Sequence, residues 1–449
     1  MRKPRSRMVS LLGAAALSLT VAGCGTLNSV TSASASKAQK PVTITFWYGP
    51  GAEPQTSAQE MNYLVHQFEK THPHIKVDAV PVSTSDSYVK YSTAMASGTP
   101  PNVIMTLGYG HVMVWAADHL TQPLNQYLKK YHFKLPQYYA PVEVAMRHDG
   151  EIYGLCQQVD EPMLLWNKTM FKKAGISGPP TTMAQLEADV KKLTIIKDGK
   201  LVQAGLIPNQ RWGNSVWVRY FGGSWFNAKT GTFDTDKPQN IQAFTFLNTL
   251  YKIQGGYNKA TAFANSAKFG NPFFSGQEAM EIGGEWVPQE IQQEVPHLNY
   301  GVAPVPVANG YKPGSITFIS PGDFFVLPSR ISHVKASVEF MLWMDSPFAV
   351  NYFCDKGYNL PPTPASSRVG SPFWKEDPVE RPWLAELQRG MNHAATVSVS
   401  PVYEYWESTR PNYEQEILTG RMSPKAGLQA LQKNISAYAQ QFSNTHPGW

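Results

Sequence analysis

The sequence has 449 residues, of which 42% are hydrophobic, 12% aromatic and 16% charged, with a formal net charge of +6 at pH 7. A chain of this length exceeds one hydrophobic core, so a single small domain is excluded and two domains are expected. The basic residues form no continuous stripe, which argues against a nucleic-acid-binding protein.

The first 23 residues have the pattern of a secretory signal peptide. The basic start, MRKPRSR, precedes an uncharged apolar run, MVSLLGAAALSLTVAG, that is short for a membrane span. Taking the four basic residues of 1–23 from the net charge of +6 leaves +2 for the remainder. The residues Leu-Thr-Val-Ala-Gly before Cys24 resemble a bacterial lipobox, which implies cleavage there and lipid on the sulfur of Cys24. A signal peptide cut elsewhere is the alternative.

Residues 24–40 are rich in Ser, Ala and Thr and contain no aromatic side chain. Such a segment cannot build a core, so it predicts a flexible tether, and the folded part is expected to begin at Pro41.

The segment after Pro41 alternates between strand and helix patterns. Strands are predicted over 42–47 and 75–79, because their residues alternate with period two, and over 103–105, which is a short apolar run. Between them, Ser57 and Glu60 suggest a capping box at the start of one helix, and the spacing of 88–95 predicts another. This β-α-β-α-β order predicts a parallel sheet with helices on its faces.

Ligands of such sheets bind beyond the carboxyl ends of the strands. Trp47, Tyr48 and Glu53 follow the first predicted strand, and Thr106 and Tyr109 follow the third. These five residues are therefore ligand-binding candidates, although alternation sends Trp47 and Tyr48 to opposite faces, so one of the two is expected in the core.

Further along, Pro179-Pro180-Thr181-Thr182 predicts a helix start near Met183, and the β-rich stretch 315–329 is broken at Pro321-Gly322. Residues 333–346 predict an amphipathic helix. Cys156 and Cys354 are interpreted as buried free thiols, with a disulfide left open. No metal site is predicted, because His72-Pro73-His74 has no evident third ligand.

The chain resembles the carbohydrate-type solute-binding proteins of ABC importers, extracellular solute-binding family 1. The matching segments run in family order from about residue 41 to 440, and they are TITFWYG, GTPPNVI, IYGL, LLWNKTMFKKAGI, PPTT, FGGSWF, FFSGQEAMEIGGEW, YGVAPVPV, FFVLPS, ASVEFMLWM and GYNLPPTPAS. The chain departs from the family pattern at Asn102, at Cys156 and at 319–322, which puts local hinge and ligand details in doubt.

The resemblance implies an α/β fold of the two-lobe periplasmic-binding-protein type, each lobe a mainly parallel sheet flanked by helices, with a cleft between the lobes. The implied N-terminal lobe comprises 41–155 plus 318–360, and the C-terminal lobe 156–317 plus 361–449. A monomeric, lipid-anchored protein on the outer face of the membrane, or in the periplasm, would capture a sugar or oligosaccharide and deliver it to a permease. No cofactor is implied.

The resemblance also implies ligand-binding residues in the second lobe. Trp286, after Gly283-Gly284-Glu285, matches a stacking tryptophan of the family, and Trp212 with Gln210 resembles a cleft aromatic and its polar partner. Asp160 matches an acid that bonds sugar hydroxyls in some members. A further stacking ring is implied within the cluster of Tyr403, Tyr405 and Trp406.

An enzyme is not predicted. A secreted glycosidase, which needs two carboxylates about 5–10 Å apart, is the alternative, but pairs such as Glu281 with Glu285 occur in any chain with 33 acidic residues. A sensor or adhesion lipoprotein is the other alternative, and the sequence does not separate it from a transport component.

Overall fold

The computed structural model describes residues 40–49, 54–83, 86–209, 211–227, 230–312, 318–357, 359–366, 395–396 and 400–447. All strands and helices below belong to one compact unit, Pro41–Trp449. Within the described residues, no helix combines the length and the apolar composition needed to cross a membrane.

The strands, in chain order, are β1 (Val42–Tyr48), β2 (Ile75–Pro81), β3 (Val103–Leu107), β4 (Arg147–His148), β5 (Glu151–Ile152), β6 (Gly154–Cys156), β7 (Val159–Asp160), β8 (Met163–Asn167), β9 (Ile195–Lys197), β10 (Lys200–Leu206), β11 (Phe226–Asn227), β12 (Thr232–Phe233), β13 (Glu278–Gly283), β14 (Tyr300–Ala303), β15 (Phe318–Pro321), β16 (Asp323–Val326) and β17 (Ala395–Thr396).

The helices are α1 (Pro54–Thr71), α2 (Ser87–Ala96), α3 (Tyr109–Ala117), α4 (Asn125–Tyr131), α5 (Ala140–Met146), α6 (Lys168–Lys173), α7 (Met183–Leu193), α8 (Trp217–Tyr220), α9 (Pro238–Ile253), α10 (Tyr257–Asn265), α11 (Val287–Glu294), α12 (Val334–Met344), α13 (Pro347–Gly357), α14 (Tyr403–Leu418) and α15 (Pro424–Thr445), with a 3-10 turn over Lys268–Gly270.

The first sheet has the strand order β2–β1–β3–β16–β6. Its parallel pairs β1–β2 and β1–β3 confirm the β-α-β-α-β prediction for the start of the folded chain. Alternation along β1 turns Ile44, Phe46 and Tyr48 inward, and Phe46 packs against Phe325 of β16 and Phe340 of α12. This inward face is the centre of the first core.

The second sheet has the order β14–β8–β13–β10–β9, and its core includes side chains of α7, α9, α14 and α15. Among the described strand pairs of this sheet, only β10 with β13 is parallel, while β8 is antiparallel to β13 and β14, and β9 is antiparallel to β10. In the first sheet, β16 is antiparallel to β3 and β6. Both sheets are therefore mixed rather than mainly parallel, because β8 and β16, next to the crossings, run against their neighbours, as does β9 at the sheet edge.

Two chain segments cross between the sheets side by side. β7 follows β6 of the first sheet and pairs antiparallel with β15, which joins the second part of the chain to β16. Ser320 lies opposite Asp160 in this pairing, and β15 and β16 meet at Gly322, as the sequence break at 321–322 predicts. We call residues 157–160 together with 320–323 the hinge.

Several local predictions have clear outcomes. α7 begins at Met183, where the Thr182 side chain accepts a hydrogen bond from the Gln185 amide, as predicted. The proposed capping box at Ser57 is wrong, because α1 already begins at Pro54 and Ser57 lies inside it. Cys156 and Cys354 are free and buried, as favoured, and their thiols donate to the carbonyls of Gln158 and Gln157.

Candidate functional site

The structure describes no side chain for four of the twelve predicted functional positions. Glu53, Gln210 and the lipidation candidate Cys24 lie outside the described residues. Tyr109 is the first residue of α3, and only its main chain is described. These four positions stay predictions.

The two tryptophans predicted in the second lobe come together. The rings of Trp212 and Trp286 have centroids 5.7 Å apart and planes inclined by 42°, and both side chains are partly exposed. Trp286 directly precedes α11, and its ring lies so close to the main chain of Gly284 that a Cβ there would overlap it. Two aromatic faces therefore meet at the corner between β13 and α11, and glycine at 284 makes room for one of them.

A pair of carboxyl groups lies beside this tryptophan pair. Asp160 of the hinge is hydrogen-bonded to Glu285, the residue before Trp286, and Asn359 donates to both, at 3.5 Å and 3.3 Å. The amide of Glu161 also donates to Glu285 at 2.9 Å. These contacts join the hinge to the turn between β13 and α11 that carries Trp286.

Burial decides the protonation of the carboxyl pair. It raises the pKa of Asp160 well above its usual range, and the Glu285 carboxylate adds to this. Burial raises the pKa of Glu285 to about 7, although its hydrogen bonds from Glu161 and Asp160 favour the ionised form. Asp160 is therefore the protonated partner and donates to Glu285.

The hinge also touches the carboxyl end of β3. The Gly108 amide donates to the Gly322 carbonyl at 2.9 Å, and the Gly322 amide donates to the Gln158 carbonyl at 2.9 Å. The Gln158 side chain donates to Asp323 at 3.3 Å. An unbroken series of contacts thus runs from the strand end that precedes Tyr109 to the hinge carboxyls and the tryptophan pair.

Other candidates are buried away from this place. Tyr48 is 2% exposed in the first core, which identifies it as the core member of the pair Trp47 and Tyr48. Thr106 is fully buried, and its hydroxyl hydrogen-bonds His111 at 2.8 Å. Trp47 is partly exposed, with the Lys90 ammonium 4.9 Å from its ring centroid. Of these, only Trp47 has ring surface open to a ligand.

The aromatic cluster of α14 separates into three environments. Trp406 is 4% exposed in the second core, and Tyr405 stacks on Tyr438 of α15 with centroids 3.7 Å apart. Tyr403 instead lies against Gly110 of α3, where a Cβ would overlap its ring. Tyr405 and Trp406 thus serve helix packing, and the ring that reaches the first sheet's side of the molecule is Tyr403.

Sequence reasoning missed the polar residues that support the tryptophan pair. Arg211 binds Glu281 of β13 through Nε at 3.0 Å and Glu290 of α11 through Nη1 and Nη2 at 3.0 Å and 2.5 Å. Asn359 was missed as well. Its place after α13 gave no signal, whereas Glu285 directly precedes the predicted ligand residue Trp286 and could have been named from that adjacency. Within the described ranges, no group of His, Cys, Asp and Glu is arranged to hold a metal ion.

The chain is similar to several known solute-binding proteins. It is 23% identical to an uncharacterized ABC transporter extracellular-binding protein of Pyrococcus horikoshii, over 85% of each chain. It is 24% identical to an sn-glycerol-3-phosphate-binding periplasmic protein of Pectobacterium atrosepticum, over 76% of this chain and 78% of that protein. The solved structure of CpMnBP1 with mannotriose bound has a TM-score of 0.75 and 28% identity, covering 87% of this chain and 99% of the other.

The similarity to this solved structure agrees with the two-lobe α/β fold predicted from the sequence. The family model described as bacterial extracellular solute-binding protein matches residues 52–349, which is more than half of the sequence. The chain therefore belongs to the bacterial extracellular solute-binding protein family.

Proposed function

We propose that the chain is the solute-binding component of an ABC importer and that it captures a neutral sugar or oligosaccharide between its two lobes. The observation that carries this proposal is the tryptophan pair, Trp212 and Trp286, beside the carboxyl groups of Asp160 and Glu285. Sugar rings present apolar C–H faces that stack on aromatic rings, and their hydroxyls bond planar acids and amides. The mannotriose bound by the similar CpMnBP1 supports the same ligand class.

The charge around the site favours a neutral ligand over a phosphate ester. Among the described residues, the Glu285 carboxyl directly precedes Trp286, and the guanidinium of Arg211, next to Trp212, is already bound by Glu281 and Glu290. A phosphate would meet the Glu285 carboxyl while the Arg211 charge is already compensated, and like charges repel. Glycerol 3-phosphate, the ligand in the name of one relative, is therefore a comparison ligand for the test and not the proposed ligand.

The proposed lobes are 41–155 plus 318–360 and 156–317 plus 361–449, and the hinge at 157–160 and 320–323 connects them. A ligand that contacts both lobes binds the closed form more tightly than the open form, and this difference in affinity shifts the population toward closure. The closed form would then deliver its sugar to the permease. No step requires a cofactor or a covalent intermediate.

The proposed ligand is not hydrolysed. Retaining and inverting glycosidases hold their two carboxyl groups about 5–10 Å apart on either side of the scissile bond. Asp160 and Glu285 instead hydrogen-bond each other, so their carboxyl groups do not stand on opposite sides of a scissile bond.

We expect a thermal-shift screen of the chain from Pro41 to identify the ligand class. Mannotriose and other oligosaccharides should raise the unfolding temperature by an amount that grows with ligand concentration, because only the folded chain binds them. Glycerol 3-phosphate and peptides are the comparison ligands. A shift with glycerol 3-phosphate alone would keep the solute-binding role and reject the sugar, and reducing ends released by the pure protein would reject the non-enzyme proposal.

We also propose that lipid on Cys24 holds the mature protein at the outer face of the membrane. Two acyl chains are enough for stable anchoring, whereas a chain without them has only its tether, 24–40. Substituting Cys24→Ser should therefore move the protein from the membrane fraction to the soluble fraction. Fractionation of cells that express each form measures this, with Cys156→Ser as the control, and retention of Cys24→Ser on membranes would contradict the anchor.

A further inference from the structure

Arg211 occupies an unusual position relative to the tryptophan pair. It directly precedes Trp212 in the chain, and its two carboxylate partners flank Trp286: Glu281 five residues before it and Glu290 four residues after it. One guanidinium therefore connects three segments, namely the turn that carries Trp212, the strand β13 and the helix α11. We call Arg211, Glu281 and Glu290 the arginine clamp.

Neighbouring side chains contact the arginine clamp and support it. Glu281 is fully buried and accepts two further hydrogen bonds from Asn271, at 3.1 Å and 3.3 Å. Asn271 in turn accepts from the amides of Phe273 and Phe274, and the Phe274 ring lies 5.3 Å from the Arg211 guanidinium carbon. The buried Glu281 carboxylate is thus held by Asn271 as well as by Arg211, and it helps to fix the guanidinium in place.

Only arginine fits this arrangement. A guanidinium presents its donors in a rigid planar fork, so it can bond Glu290 through two nitrogens and Glu281 through a third at the same time. A lysine ammonium keeps the charge but is a point donor on a flexible stem, and it cannot span the two carboxylates in this geometry.

We propose that Arg211 is a positioning residue for ligand binding, which sets the spacing and inclination of Trp212 against Trp286. The proposal rests on the proposed function, because it assigns the origin of the ring geometry on which a sugar would stack. Arg211 makes no ligand contact in this proposal. It acts through Trp212, and its loss lets the turn that carries that ring leave the corner between β13 and α11.

The first test needs no ligand. Two tryptophan rings 5.7 Å apart couple their strong indole transitions and give an exciton signal in the far-ultraviolet circular dichroism spectrum, and Trp212→Phe identifies that signal by removing it. We expect Arg211→Lys in the full-length chain to remove most of the same signal while the remainder of the far-ultraviolet spectrum is unchanged. Arg147→Lys, at the exposed ion pair with Glu143 on α5, is the matched control and should retain the signal. A wild-type signal in Arg211→Lys would overturn the proposal.

The second test measures affinity by calorimetry with mannotriose as the probe. Arg211→Lys should weaken binding by about tenfold, an effect of the size expected for one positioning interaction. In a Trp212→Ala background the same substitution should cause no further loss, since a residue that acts only through Trp212 has nothing left to position. Equal losses in both backgrounds would overturn the proposal in favour of a direct or general structural effect.

Glu290→Gln provides an independent variant if Arg211→Lys folds poorly, because it keeps the shape of the side chain and removes one charge of the arginine clamp. It should reduce both the ring signal and the affinity. If the wild-type chain binds no sugar while the ring signal responds as expected, the proposed ligand fails and the positioning role survives. If sugar binds but the ring signal is indifferent to Arg211, the positioning role fails alone.

Discussion

Substituting Trp286→Ala should weaken sugar binding by about thirtyfold to a thousandfold and leave the chain folded. The ring is partly exposed at the end of β13, where it meets Trp212, and a central aromatic side chain in a binding site commonly contributes about 2–4 kcal/mol of binding free energy. A loss of this size changes the dissociation constant by about thirtyfold to a thousandfold. Calorimetry with the sugar found in the thermal-shift screen measures it.

The matched control for this substitution is Trp166→Ala. Trp166 is also a partly exposed tryptophan of the second sheet, but it packs against Phe171 of α6 and beside Lys168, on a different segment from the tryptophan pair. Its loss should lower stability and leave the affinity unchanged. An unchanged affinity in Trp286→Ala, or an equal loss in both variants, would remove Trp286 from the binding site.

Stability should fall as the pH rises from about 6.5 to about 8. Burial raises the pKa of Asp345 from 3.8 to about 8 and that of Asp323 to about 8, in the latter case with help from Asp160. Because the folded state keeps these protons after the unfolded state has lost them, their stabilising effect is complete at acidic pH and disappears through the folded pKa. Below its folded-state pKa, each group therefore lowers the free energy of unfolding by about 1.4 kcal/mol for each unit by which the pH rises.

The window starts at about pH 6.5 because of His111, whose pKa burial lowers to about 4. That histidine acts with the opposite sign, since its neutral folded form loses stability as the pH falls below 6.5. Above that value it is neutral in both states, so the carboxyl groups alone set the slope among the groups considered.

Asp345→Asn isolates one contribution to this slope. Asp345 is buried directly after α12 and accepts a hydrogen bond from the Tyr138 hydroxyl at 2.6 Å. The variant should have a slope shallower by about 1.4 kcal/mol per pH unit and should be more stable than the wild type at about pH 8. Urea unfolding across the window measures both, with the exposed Asp149→Asn as control. Parallel curves for wild type and Asp345→Asn would contradict the assignment.

The elements of the fold were accessible from the sequence wherever a local pattern decided them. The alternation in 42–47 and the apolar run at 103–105 act within a few residues, so both strands were predicted, as was the break at Pro321-Gly322. Strand direction was less accessible. β16 lies in a stretch that was predicted only as β-rich, and the antiparallel pairing of β8 and β16 follows from where the chain crosses between sheets, which no short pattern records.

The same distinction between local patterns and long-range packing applies to the residues of the candidate site. Trp286 and Trp212 were nominated from motifs, and the structure places them together, although no motif measures the distance between residues 212 and 286. Trp406 carried an equally strong aromatic signal but is a core residue, because exposure depends on packing against distant rings such as Trp225. Arg211 gave no signal, since its partners lie 70 and 79 residues away in the chain.

The contact between Gly110 and Tyr403 has a mechanical consequence. α14 packs in the second core, yet its first residue rests on the main chain of α3, whose neighbouring His111 also meets Glu404 at 3.3 Å. With glycine at 110 the tyrosine ring comes to rest directly on the backbone, and even a methyl group would act as a spacer that holds the two helices apart. The absence of a side chain at Gly110 therefore determines how closely α14 can approach α3.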